Sequence, residues 1–272
     1  MNISSINAAG LISRIFDWHA FCRDVAWCRL TANINFEHST NMETAINPNT
    51  LYWILFIGIA LLSWIVSASL ESKFKRYSKV ALPLTGKQVA EKMLRDHGLS
   101  DVQVTCVSGR LTDHYNPTDK TVNLSESVYN GASVAAAAVA AHECGHAVQH
   151  ATAYAPLQMR SALVPAVEFA SRWVMWVLLA GMLLINVFPE LMVVGVCLFA
   201  LTTLFSFITL PVEINASQRA VDWLQEAGIT DRETTPLATS ALRSAAYTYV
   251  VAALSSLATL VYYIMIAFGK RN

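Results

Sequence analysis

The sequence has few charged residues for its length. Asp, Glu, Lys and Arg make up 14% of the 272 residues, hydrophobic residues make up 54%, and the mean hydropathy is +0.42. This composition is too apolar for an ordinary soluble domain and indicates a membrane protein. Basic and acidic residues number 19 each, so the net charge is zero and predicts no nucleic-acid partner.

A cysteine framework and a signal peptide are also lacking. The five cysteines are an odd number at irregular spacing, so we expect no structural disulfide and a reducing compartment for the polar middle of the chain. The first 41 residues contain no uninterrupted apolar core of the kind that a signal peptide needs. They suit a short amphipathic helix on the membrane, but we favour a dispensable or poorly ordered extension, residues 1–49.

Four uncharged, apolar runs are candidates to cross a bilayer, which takes about 20 residues. They are Leu51–Leu70, the shorter Trp173–Phe188, Leu191–Val212 and Ala245–Phe268. A buried hairpin in a soluble core is the alternative for the second and third runs, but their lack of charge argues against it.

Basic residues near the first run predict its orientation. Residues 71–87 contain five Lys and Arg, whereas residues 31–49 contain none, so the chain after the first run is expected in the cytoplasm. The predicted organisation is an anchor at 50–70, a cytoplasmic region at 71–170, a transmembrane hairpin at 171–212, a cytoplasmic helix at 213–244 and a last span at 245–272.

The stretch AAHECGHAVQH, residues 140–150, places two histidines on one face of a predicted helix, because His142 and His146 are one turn apart. Ser133 suits the N-cap, and the alanines that follow favour a helix. H-E-x-x-H supplies two imidazoles for a zinc ion and a carboxylate, Glu143, beside the metal-bound water. Gly145 costs a helix about 1 kcal/mol relative to Ala, which indicates a close packing partner.

A catalytic zinc site needs a third protein ligand. His150 continues the same helical face, but three side chains along one straight helix cannot easily surround a metal, so we expect it to act as a cation at the helix C-terminus. Glu168 and Glu213 are further candidates. We expect Pro211 to begin a new helix, with Glu213 on the same face as the small residues Ala216, Ser217 and Ala220, and this favours Glu213.

Between the first span and the histidines, the pattern predicts a helix with a Thr85–Gln88 capping box and two strands. The second strand, residues 121–125, is our candidate for an edge that pairs with an extended substrate. An ordinary hairpin strand is an equally good interpretation. The candidate edge residues are Thr121, Val122, Asn123 and Leu124.

Ordered motifs between residues 50 and 268 resemble the YugP-like neutral zinc metallopeptidases of bacterial membranes. They are LYWILF, SKFKRYSKV, GRLTDHYNP, TVNLSESVYNG, VAAHECGHAVQHA, RSALVP and LPVEINAS. More distantly, the E-x-x-A arrangement at Glu213 resembles membrane gluzincins of the HtpX and CAAX-prenyl-protease type. There the glutamate of E-x-x-A-D is the third zinc ligand, so the resemblance selects Glu213 over Glu168. Ser217 stands where those relatives have Asp, which leaves open what orients a ligand histidine.

Together these features predict a mainly α membrane protein with about four transmembrane helices and a small α+β cytoplasmic zinc-peptidase region. The resemblance implies one Zn²⁺ per chain, bound by His142, His146 and Glu213, with Glu143 as general base in peptide hydrolysis. Candidates for transition-state or supporting roles are His114, Tyr115 and Arg219. The expected partners are a peptide or membrane-protein substrate and the lipid bilayer of the bacterial inner membrane, with no prediction of oligomeric state.

Two other functions are compatible with a membrane location. An inactive zinc-binding scaffold would have no use for Glu143. A channel or transporter would need ionisable groups inside its spans, and the four apolar runs contain no Asp, Glu, Lys, Arg or His. A membrane metallopeptidase is therefore the favoured function.

Overall fold

The structure, a computed structural model, describes residues 48–269, with side chains from Trp53 onward. The predicted extension, residues 1–49, lies outside the described residues except for its last two backbone positions. The chain divides into two units after Gly58, and the smaller unit contributes residues 48–58 to the described part. The elements in chain order are α1 (Pro48–Tyr77), α2 (Gly86–Asp96), β1 (Gln103–Val107), β2 (His114–Asn116), β3 (Thr121–Ser125), α3 (Glu126–Tyr129), α4 (Val134–Ala151), α5 (Ala155–Leu183), α6 (Glu190–Glu226) and α7 (Thr235–Gly269).

Within the described range, four helices are long and apolar enough to cross a membrane: α1, α5, α6 and α7. Helices α1, α6 and α7 each contain one predicted run, and α5 contains the second run up to Leu183, short of its predicted end at Phe188. A mainly helical membrane protein with a small sheet is therefore confirmed. All four helices are longer than their apolar runs. Helix α5 begins at Ala155 and α6 continues to Glu226, so both carry polar side chains past the membrane-crossing part.

The expected new helix after Pro211 is wrong. Helix α6 runs through Pro211 without a break. A proline removes one backbone hydrogen bond from a helix, at a cost of about 3 kcal/mol, and packing of the neighbouring turns offsets such a loss. Thr209 and Val212 on either side are fully buried. Glu213 is therefore rigidly continuous with a membrane helix.

The three strands form one sheet in the order β1-β3-β2. Strand β3 pairs with β1 in parallel and with β2 antiparallel. The candidate substrate edge at Thr121, Val122, Asn123 and Leu124 is therefore wrong, because β3 is the central strand and both of its sides are already paired. Among the described strands, β1 and β2 form the edges.

Helix α4 lies inside a hydrophobic core. Helix α2 begins with the predicted capping box, in which the Gln88 N–H donates to Thr85 Oγ1 at 3.3 Å and the Thr85 N–H donates to Gln88 Oε1 at 2.9 Å. The apolar face of α2, including Val89 and Met93, packs in the same core cluster as the alanines of α4. Ser133 caps α4 as predicted, since its side chain accepts from the Ala136 N–H at 3.3 Å. A second apolar cluster joins α5, α6 and α7.

Candidate metal centre

His142, His146 and Glu213 converge on one point. Glu213 Oε2 lies 3.3 Å from His142 Nε2 and 3.6 Å from His146 Nε2, and one ligand atom from each residue lies within 4.8 Å of the others. Ligands about 2.0–2.1 Å from a tetrahedral zinc ion are about 3.4 Å apart. Two nitrogens and one carboxylate oxygen at this spacing fit the donor set of a zinc site with an open position. Among the described residues, Glu168 and His150 do not belong to the group.

The close approach of α4 and α6 brings these ligands together. A Cβ atom on Gly145 would lie 2.7 Å from the backbone oxygen of Ala216, nearer than side-chain carbons come in folded proteins. Gly145 and Ala216 therefore let two helix backbones touch, as the glycine in the motif predicted. Because the contact lies one turn from both His142 and Glu213, it fixes the distance between the ligands.

A hydroxyl supports His142. Ser217 Oγ lies 3.1 Å from His142 Nδ1, on α6 one turn after Glu213. If Ser217 Oγ accepts a hydrogen bond from Nδ1–H of His142, the lone pair of Nε2 faces the point on which the three ligand atoms converge, which we call the metal point. Ser217 thus provides a neutral supporting contact for this ring, without adding a charge.

An amide supports His146 in a defined orientation. The Nε2 group of Gln149, which is fully buried, donates to Val212 O at 2.8 Å and to Asn215 Oδ1 at 3.0 Å. Its Oε1 therefore faces His146 Nδ1, at 3.0 Å, and can only accept. Nδ1 must carry the hydrogen, and Nε2 of His146 presents its lone pair to the metal point.

Glu143 is next to the ligands but outside the ligand group. Burial raises the pKa of Glu143 to about 7, while the nearby His142 lowers it and Asp113 raises it further. The backbone N–H of Tyr115 hydrogen-bonds the Glu143 carboxylate, which ties β2 to the site. A buried carboxyl that can hold or release a proton near neutrality suits proton transfer.

Three residues predicted for supporting roles have other partners. His114 Nδ1 lies 2.7 Å from Thr112 O, and its Nε2 lies 3.3 Å from Asn123 Nδ2. The Tyr115 hydroxyl lies 3.2 Å from His150 Nδ1. Arg219 is indirectly linked to the site, because its Nε donates to Asn215 Oδ1 at 2.8 Å and Asn215 contacts Gln149.

Two side chains that reach the site were not singled out from the sequence. Arg160 on α5 lies with Nη1 3.3 Å from Glu213 Oε1. The hydroxyl of the half-buried Tyr249 on α7 interacts with the Glu213 carboxylate, and Arg160 and Glu143 lie near it. An arginine beside an apolar helical run was a usable signal, because charges at membrane helices are rarely without function. Tyr249 had no such signal, because it lies in an ordinary apolar run.

Comparisons with known proteins agree with this geometry. Residues 52–268 match the family described as "putative neutral zinc metallopeptidase". The chain is 41% identical to "Putative membrane protease YugP" of Bacillus subtilis (strain 168) over 224 residues, which is 82% of this chain and 99% of that protein. No solved structure matches the chain.

Proposed function

The chain belongs to the neutral zinc metallopeptidase family, and on that basis we propose that it is a membrane-bound zinc peptidase that hydrolyses peptide bonds with Glu143 as general base. The observation that carries the proposal is the convergence of His142 Nε2, His146 Nε2 and Glu213 Oε2 beside the buried Glu143 carboxyl. Family membership implies zinc, and this group is the one that would hold a single ion.

When bound, the zinc ion would lower the pKa of a water molecule towards about 7 and polarise the substrate carbonyl. The remaining steps belong to this chain's own groups. Glu143 takes a proton from the attacking water and later delivers it to the departing amine. The same residue thus acts first as general base and then as general acid. Tyr249 is our candidate for donating a hydrogen bond to the carbonyl oxygen as it becomes negative, in place of His114, Tyr115 and Arg219; its one hydroxyl hydrogen would turn from Glu213 to the substrate.

We assign substrate binding to β2 rather than to β3. Among the described strands, β2 pairs with β3 alone, and the backbone N–H of Tyr115 hydrogen-bonds the Glu143 carboxylate. An extended peptide that aligns with the other side of β2 would pass directly over the catalytic carboxyl, with its backbone paired as in other strand-addition complexes. The side chains of His114 and Tyr115 then support the strand.

The length of α6 suggests where the site lies relative to the bilayer. Glu190 and Glu213 are separated by about 35 Å of helix at 1.5 Å per residue, and the hydrocarbon layer is about 30 Å thick. This length supports a position for Glu213 just past the hydrocarbon layer. With the basic residues after α1, this supports a catalytic region at the cytoplasmic face of the bacterial inner membrane, acting on peptides or on membrane proteins near the surface.

Two experiments test the proposal. Zinc should be present at about one ion per purified chain and should be lost from the His142→Ala, His146→Ala double variant; full zinc in that variant would disprove the site. Proteomes of membranes containing the wild-type or the Glu143→Gln protein should differ in substrate fragments if the protein is a peptidase. Identical fragment sets would contradict peptidase function.

The orientation has its own test, in a background without the native cysteines. A cysteine at Leu82, after α1, should be protected from a membrane-impermeant thiol reagent in intact cells. One at Phe188, in the α5–α6 turn, should react. The opposite labelling would place the catalytic region outside the cytoplasm.

A further inference from the structure

Arg160 is a charged side chain for which the catalytic steps have no role. It begins the RSALVP motif on α5, and its side chain is 16% exposed. A guanidinium in such a place loses most of its hydration and needs an anionic partner to remain stable. The carboxylate that it meets is Glu213, whose side chain is only 4% exposed.

The two oxygens of Glu213 face different partners. Oε2 faces the histidine nitrogens, at 3.3 Å from His142 Nε2 and 3.6 Å from His146 Nε2. Oε1 faces Arg160 Nη1 at 3.3 Å. The carboxylate is therefore held with one oxygen towards the metal point and the other towards a fixed cation.

We propose that Arg160 is a positioning residue that makes Glu213 a one-oxygen metal ligand. The inference rests on the proposed function only in that the His142, His146 and Glu213 group holds a metal. A free carboxylate can bind a metal through both oxygens. A charge-assisted hydrogen bond to Oε1 opposes this, and so keeps a coordination position open for water and substrate.

The chemistry of arginine suits this role. Its planar guanidinium stays charged at all accessible pH values and directs its N–H groups in a fixed fork. Lysine would keep the charge but not the fork. Glutamine would lose the charge and keep only a neutral donor. Arg160→Lys and Arg160→Gln therefore separate charge from geometry.

The test uses the full chain in detergent. Zinc affinity is measured by competition with a chelator, and the visible spectrum of the cobalt-substituted protein reports the coordination number. Arg160→Gln should lower zinc affinity by about 10–100-fold, as loss of groups supporting metal ligands does, and should weaken the cobalt bands as Glu213 binds through both oxygens. Arg160→Lys should recover part of the affinity. Arg172→Gln, an exposed position on the same helix, is the matched control and should change neither quantity.

A double-variant cycle decides whether Arg160 acts through Glu213. In a Glu213→Gln background, adding Arg160→Gln should cost little further zinc affinity, because the contact is already broken. An equal loss in both backgrounds would overturn the inference, and so would unchanged zinc affinity and cobalt spectrum in Arg160→Gln.

If Arg160→Gln does not fold, Arg160→Lys decides, since an unaltered cobalt spectrum in that variant contradicts a role for the fork of the guanidinium. A wild-type chain without zinc binding would overturn the proposed function as well, whereas normal wild-type binding confines any failure to Arg160.

Discussion

Helices α1 and α4 are both apolar but have opposite surroundings. In α1, large side chains such as Ile57 and Trp64 are 60% and 68% exposed, whereas in α4 alanines such as Ala137 and Ala140 are fully buried. The described residues of α1 bury none of its most apolar window. Lipid can surround α1, whereas protein surrounds α4 on nearly every side.

Side-chain size accounts for the difference. Large apolar side chains keep neighbouring backbones apart and suit a lipid environment. Alanine and glycine let backbones touch, as Gly145 and Ala216 do, so the polar groups of α4 are held in a dry and rigid setting. The fully buried Gln149 can therefore fix the ring of His146, which no exposed side chain on α1 could do.

The largest expected effect is that of a side chain added at Gly145, and the same change at Gly58 is its control. Gly145→Val should abolish zinc binding, because its Cβ would collide with the backbone of Ala216 and separate the ligand helices. Gly58→Val in α1 should keep wild-type zinc content, since no described atom lies within 4 Å of the Cβ position. Elemental analysis of both purified proteins measures this. Full zinc in Gly145→Val would show that the helix contact does not set the site.

The next largest effect distinguishes the proposed general base, Glu143, from the proposed metal ligand, Glu213. Glu143→Gln should keep zinc but lower turnover by about 10²–10⁴-fold, because the amide cannot accept the proton. Glu213→Gln should lose zinc affinity, and added zinc should restore part of the activity. Glu168→Gln is the control and should retain both. Zinc loss in Glu168→Gln with retention in Glu213→Gln would reassign the third ligand.

A smaller effect is expected from the groups behind the histidines. Gln149→Leu keeps the side-chain volume but removes the acceptor for His146 Nδ1, and Ser217→Ala removes the contact to His142. Each should weaken zinc binding by about 10–100-fold in a chelator competition assay. Gln158→Leu, at an exposed position on α5, should bind zinc like the wild type. Normal affinity in both test variants would show that the rings are held by other means.

The smallest effect is expected on the exposed face of α1. Ile57→Ala should change the free energy of unfolding by less than about 0.5 kcal/mol, because an exposed side chain leaves no cavity. Thermal unfolding of the solubilised protein measures it, with zinc content as a second readout. A loss of several kcal/mol would mean that this face of α1 packs against protein rather than lipid.

Sequence patterns were sufficient to predict those structural features that depend on a single segment of the chain. The capping box at Thr85, the N-cap at Ser133 and the four apolar runs were readable because each depends on neighbouring residues. The continuous helix through Pro211 and the central place of β3 were not readable. Both depend on which distant segments pack alongside, and a local pattern does not contain that information.

The same distinction between local and distant contacts applies to the residues of the candidate metal centre. The sequence by itself determined His142, Glu143 and His146, because a four-residue spacing on a helix places two rings on one face whatever surrounds them. It also predicted, through Gly145, a close packing partner at that turn. The tertiary structure alone decided that Gln149 and Ser217 support the rings, that Tyr249 reaches Glu213, and that Arg160 takes one of its oxygens. Those contacts join α4 to helices far along the chain, and their geometry arises only when the helices pack.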